Sequence, residues 1–469
     1  MYRLTALGLI ALLGWGCAGE DDPARTAAEL EAALDGASPG DTVRAASGTF
    51  RGTFVVLEGV SIDGAGIGST ILESDGDAAV VVLEASSTGT AVRNVTVRSS
   101  GSAGVVARGP GAASLEHVRV ESSRGIGVGG EDVGTFRLVD VTLIGPVTRD
   151  NVSSLPIDPT PADTATHGIV LVRVTTAEML RVDIHGYAKF GALFVESGVT
   201  WETGDASENV STGMMAYGGS VTLDAVEVSR TIGAFTLIPP YNAVFAGGAD
   251  VSSMGLVTSG GEGYGILHSD ASGQHVDLVS EDNTAAGLWV QSSAGVSITG
   301  AGSRFANNSF AGVVALDSSD VTLSDASITA TRLLRRVFGE TSTVEVGDGI
   351  QLVRSVDAIT LSNLSLDGNE RAGLLVDLDG GDTSGIGITS VSADGTGAQL
   401  GVIAQNGTLA AGWDAMVDRL GETAANDSAF LAAGTVLDVA GVVAPTDMPV
   451  ADDVSTGGLA AVGVVAPTD

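Results

Sequence analysis

Three aspartates in the run Asp377-Leu-Asp379-Gly-Gly-Asp382 crowd carboxylate oxygens into one short stretch. Oxygen donors of this kind suit a hard cation such as Ca²⁺. The spacing matches no fixed calcium loop, so the expectation is a structural Ca²⁺ at Asp377, Asp379 and Asp382, with no cofactor required. His167 and His185 each precede a glycine, and lone turn histidines read as surface groups. The remaining chemistry is recognition. Eight of the 20 aromatic side chains fall between Tyr187 and Phe245, and aromatic faces stack on sugars and on protein alike. The residues expected to touch a ligand are Leu193, Met215, Tyr217, Phe235, Tyr241, Leu267 and Trp289.

These residues ride on a repeat. A glycine followed by an apolar run returns at Gly104, Gly125, Gly168, Gly191, Gly213, Gly233, Gly265, Gly287, Gly312, Gly349, Gly373 and Gly401. Asn209, Asn283, Asn308 and Asn369 each stand four places ahead of one of them, although the chain holds only 11 Asn. Self-similarity at about 22 residues marks a solenoid, and Asn at one repeated position predicts an internal ladder of amides. Ahead of most glycines, apolar residues occupy positions 1, 3, 6 and 8, as in Ala113, Leu115, Val118, Val120 or Ala249, Val251, Met254, Leu256. Steps of two are strand periodicity, and the step of three is a bend that keeps both halves inward.

That pattern predicts three short strands per coil and three parallel sheets around a narrow core, with the glycine at a turn of positive φ. The residue two after each glycine then points outward. Ten of these twelve are apolar, from Val106 through Leu193, Met215 and Trp289 to Ile403. A ribbon of that size is larger than monomers ordinarily leave bare, so either inserted loops or a partner must cover it.

The chain carries 57 acidic and 22 basic residues, a formal charge of −35. A surface of that sign repels nucleic acid and other polyanions. Residues 1–16 read as an export signal, a basic start followed by an apolar run too short to span a bilayer. Cys17 is the sole cysteine, which excludes internal disulfides, and its setting resembles the lipid-attachment site of bacterial lipoproteins. Residues 17–25 then form a linker, and Ala18 after the cysteine resembles the outer-membrane sorting pattern. The implied address is the outer membrane or cell surface, held by a multiply acylated Cys17, or otherwise periplasmic or secreted.

Thr26–Leu34 reads as a short helix with a capping box of Thr26 and Glu29. The segments Pro39-Gly40-Asp41-Thr42-Val43, Ser47-Gly48-Thr49-Phe50 and Gly64-Ala65-Gly66-Ile67-Gly68-Ser69-Thr70-Ile71 follow. Together with the repeat, they resemble the right-handed parallel β-helix of the pectin-lyase-like superfamily over residues 26–404. The resemblance implies an all-β solenoid of about 12–14 coils with short helical caps at both ends. Residues 405–469 would hold the second cap, with Trp413, Met416, Val417 and Leu420 at helical spacing, and an Ala/Val/Gly-rich tail in which Gly441–Asp447 recurs unchanged as Gly463–Asp469. Relatives of this fold cleave acidic polysaccharides, but their pattern of an Asp-Asp pair with a following His-Gly and Arg-x-Lys is absent. The leading expectation is a non-catalytic rod offering an apolar and aromatic face to a protein or glycan. The alternative is a polysaccharide lyase or glycoside hydrolase.

Overall fold

The computed structural model describes residues 22–74, 76–85, 87–155, 159–160, 163–233, 240–338, 342–393, 400–413, 427–430 and 454–464. More than half of them lie in strands, and the helical pieces are short. Parallel pairing stacks the chain into a solenoid of about 14 coils with two long sheets, one of 20 strands and one of 16.

Two sheets replace the expected three because the bend does not interrupt the hydrogen-bond ladder. Ala112–Ser122, Thr135–Ile144, Thr176–His185, Gly198–Ser207 and Ser220–Ser229 run straight through it. The corner is a single left-handed residue in each: His117, Asp140, Arg181, Thr203 and Ala225, with φ between 51° and 53°. One such residue turns the strand and supplies the step of three, so Leu115 and Val118 both face the core. This is the bent sheet. The other, the flank sheet, carries the short strands from Phe54–Val56 to Asp427–Phe430.

Pairing also corrects the register of one coil. Val221 lies beside Val251, Leu223 beside Ser253 and Val228 beside Thr258, so the inward set is Val251, Ser253, Leu256 and Thr258, and Met254 is 54% exposed. The next coil turns Gly273, His275, Leu278 and Ser280 inward. Polar pairs fill it: Ser253 Oγ to His275 Nδ1 at 2.7 Å, Thr258 to Ser280 at 2.9 Å, and His275 to His268 through their Nε2 atoms at 3.0 Å. An apolar template passes over such a coil.

The repeat glycines are not turn residues. Of the twelve, only Gly125 has a positive φ, and pairing aligns Gly127, not Gly125, with Gly104 and Gly168. In the Gly233 coil, Asn242 takes the equivalent position. What selects glycine is close approach. A Cβ on Gly191, Gly265, Gly287 or Gly349 would lie 2.5, 2.9, 2.6 or 2.7 Å from Nδ2 of Asn209, Asn283, Asn308 or Asn369 on the following coil.

At the start, the helix Ala27–Gly36 carries the reciprocal capping box of Thr26 and Glu29 and buries Leu30 and Leu34 over the first coil. Toward the other end, Asp427–Phe430 extends the flank sheet past Leu400–Gln405. Trp413 is buried in the main core. Cys17, Met416, Val417 and Leu420 lie outside the described residues. A helical piece, 454–457 running into the 3-10 turn Gly458–Val462, lies against the flank sheet at Gly125–Glu131 and Ala165–Val172.

Candidate functional site

Alternation in the flank sheet sends Ala192 and Phe194 into the solenoid core and Leu193 and Val195 to the opposite face. Register stacks Val106, Gly129, Val170, Leu193, Met215, Val244, Leu267, Trp289, Val314, Gln351, Leu375 and Ile403 in one row. The ribbon read from the sequence is therefore real, with Gly129 in place of Gly127 and Val244 in place of Phe235. It is not displayed to solvent. Leu193 and Leu267 are 0% exposed, Met215 and Tyr241 1%, and Trp289 2%, while Tyr217 is half-buried against the same cluster. Phe235 lies outside the described residues. The open face expected from these residues is instead a second apolar cluster, because a continuous apolar ribbon gains about 25 cal/mol per Å² when removed from water. Val454, Leu459, Val462 and Val464 belong to it.

Within the ribbon runs a chain of aromatic contacts. Tyr241 stacks on Tyr264 with centroids 5.2 Å apart, Tyr264 meets Trp289 edge-on at 5.5 Å, and Trp289 stacks on Phe310 at 5.9 Å. Polar groups interrupt the apolar surface beside it. Trp289 Nε1 and, two rungs along the same row, Gln351 Oε1 are buried without a hydrogen-bond partner among the described residues. Gln351 Nε2 donates to Asp348 at 2.9 Å, and Arg371 Nε donates to the same carboxylate at 2.7 Å. Asp348 is wholly buried, and burial raises its pKa against the opposing pull of Arg371.

The asparagines form two kinds of link. Asn242 donates to Asn283 and Asn283 to Asn308, each at 2.9 Å, amide to amide. Asn209 and Asn369 instead each accept a main-chain N–H and donate to a carbonyl on the preceding coil. All five are buried.

The three calcium candidates are not brought together. Asp377 accepts from Gln405 at 2.8 Å and Asn406 at 3.1 Å, and Asp382 accepts the Ser384 N–H at 2.8 Å. Among the described residues no group of three His, Cys, Asp or Glu side chains converges to hold a metal. The histidines part company. His167 is buried and stacked on Phe190 at 5.3 Å, with its pKa lowered to about 3 by burial and by Lys189, so it is no surface group.

His185 reveals a site that motif reading passed over. On the solvent side of the bent sheet, Asp183, Asp205 and Glu227 are register neighbours on three successive coils. Asp205 accepts from Ser207 at 2.5 Å and lies 3.2 Å from His185 Nδ1. Its pKa is raised, first by burial and then by Glu227, against Ser207, His185 and Arg230. The three acids are spaced 22 residues apart, the coil period itself.

No family model and no curated protein matches the chain. Solved structures do. The A-module of the Azotobacter vinelandii mannuronan C-5 epimerase AlgE6 is 14% identical over 82% of this chain and 95% of its own, with a TM-score of 0.37. The cryo-EM structure of the Vag8–C1 inhibitor complex matches at 15% identity over 84% and 95%, TM-score 0.41. The catalytic domain of a GH87 α-1,3-glucanase matches at 12% over 84% and 64%, TM-score 0.38. Enzymes and a protein complex stand side by side, and likeness at this level carries no argument about function. The strand pairing of the chain itself makes it a parallel β-solenoid of about 14 coils.

Proposed function

We propose that this protein is an exported, non-catalytic binding rod, attached to the membrane through a lipid on Cys17, that holds a neutral glycan along the flank sheet. The observation that carries the reading is the aromatic run Tyr241, Tyr264, Trp289 and Phe310, beside which Trp289 Nε1 and Gln351 Oε1 lack partners among the described residues. A buried polar group without a partner costs about 1–3 kcal/mol. A sugar stacked on the rings supplies hydroxyls that relieve that cost. Access requires these rings to become exposed, since Trp289 is only 2% exposed. The −35 charge favours a ligand that is not itself an anion. A glycan array probed with the mature protein tests the proposal: Trp289→Ala with Tyr264→Ala should lose binding while circular dichroism stays that of a β-protein. Retained binding ends the reading.

One observation favours a second reading, hydrolysis. Asp205, with its raised pKa beside Asp183 and Glu227, has the character of a general acid placed near two further carboxyl groups. Incubation with acidic and neutral polysaccharides, with and without Ca²⁺, decides it. New reducing ends that vanish in Asp205→Asn support hydrolysis, and none from the unaltered protein removes it.

A further inference from the structure

The piece 454–464 sits in a socket that the flank sheet shapes for it. The outward row has valine at Val106 and Val170 but glycine between them, at Gly129. A Cβ there would lie 2.9 Å from Leu459 Cδ1, so Leu459 fills the gap the missing side chain leaves. Polar clamps close both sides. Leu459 N–H donates to Glu131 at 3.4 Å, and Arg173, held by Asp132 at 2.8 Å and Glu131 at 3.0 Å, donates to the Ser455 carbonyl at 3.2 Å. Gly458 adopts φ 59° directly over Glu131, where a Cβ would collide with the carboxylate.

The seat is specific, yet its hold is modest: Val454, Leu459, Val462 and Val464 are set against the ordering of 11 backbone residues. Between Phe430, on the last strand, and Val454 lie 23 residues, which reach about 80 Å when fully drawn out and average roughly 26 Å as a free coil. The strands of residues 427–430 and 125–131 are 11 ladder steps apart, about 53 Å at 4.8 Å per step. A chain of 23 residues covers that distance only at about twice its coil average, which lowers the effective concentration of a segment at the socket of its own rod.

We infer that this segment is an exchangeable strap, and that the socket of Gly129, Glu131 and Arg173 accepts the strap of a second copy of the chain, joining two rods. The inference is independent of any ligand on the aromatic run. The test uses full-length chains in size-exclusion chromatography with light scattering. The unaltered protein should pass from monomer to dimer as concentration rises. Leu459→Asp, which spoils the strap, and Gly129→Leu, which fills the socket, should each stay monomeric alone. Mixed, they should form a one-to-one complex, because one retains a working socket and the other a working strap. Arg173→Ala provides the second socket variant if Gly129→Leu does not fold. Monomer at every concentration with no complex on mixing overturns the inference, and so does dimerisation of either variant alone.

Discussion

Asn308 places its amide nitrogen 2.6 Å from where a Cβ on Gly287 would stand, while donating to the Ser280 carbonyl at 2.8 Å and accepting from Asn283. The glycine of one coil is the space for the asparagine of the next. Gly287→Ala should therefore destabilise by about 1–3 kcal/mol through overpacking, and Asn308→Ala by a similar amount through the partners it strands. The double variant should lose less than the sum. Urea unfolding of all four proteins measures the coupling, and strict additivity would contradict it.

The buried pair His268 and His275 predicts acid sensitivity. Burial lowers the His275 pKa to about 4 and holds that of His268 well below the ordinary imidazole value, with His275 adding to the effect. In the unfolded chain both titrate near 6.5. Folded pKa values below the unfolded one mean that stability is complete above about pH 6.5 and is lost as pH falls toward 4, by on the order of a few kcal/mol. Thermal midpoints measured over that window should fall less steeply in His275→Gln than in the parent.

Asp348 and Arg371 should behave as an obligate couple. Arg371→Met leaves a fully buried carboxylate without its cation and should cost about 3–5 kcal/mol. Because burial raises the Asp348 pKa, its unfavourable contribution grows as pH rises above the ordinary carboxylate range, the opposite sense to the histidines. Adding Asp348→Leu to Arg371→Met should restore most of the loss in denaturant titrations.

Ala225 occupies the left-handed corner at φ 51°, where neighbouring coils place His117, Asp140, Arg181 and Thr203 and a later one Asn363. A β-carbon costs about 1–2 kcal/mol in this conformation, and asparagine tolerates it best among residues with side chains. Ala225→Asn should raise stability by about 0.5–1 kcal/mol. An unchanged or lowered unfolding midpoint would show that the corner is not strained.

The sequence by itself determined the solenoid, its period and the direction of most side chains. Alternation and the Gly/Asn repeat are local patterns that translation along one axis preserves. It also marked Leu193, Met215, Leu267 and Trp289 as one row, although nothing local says whether such a row faces water. Leu193, Leu267 and Trp289 are buried, and only tertiary structure decides it. The same holds for function-bearing groups. Asp183, Asp205 and Glu227 are legible as acids at the coil period, but the raised pKa of Asp205 comes from its burial and from neighbours on other coils. Asp377, Asp379 and Asp382, close in sequence, do not converge as a metal-holding group, and Gln405 and Asn406 take up Asp377. Stacking coils makes distant residues neighbours across about 4.8 Å, and it is across that gap that the chemistry of this chain is set.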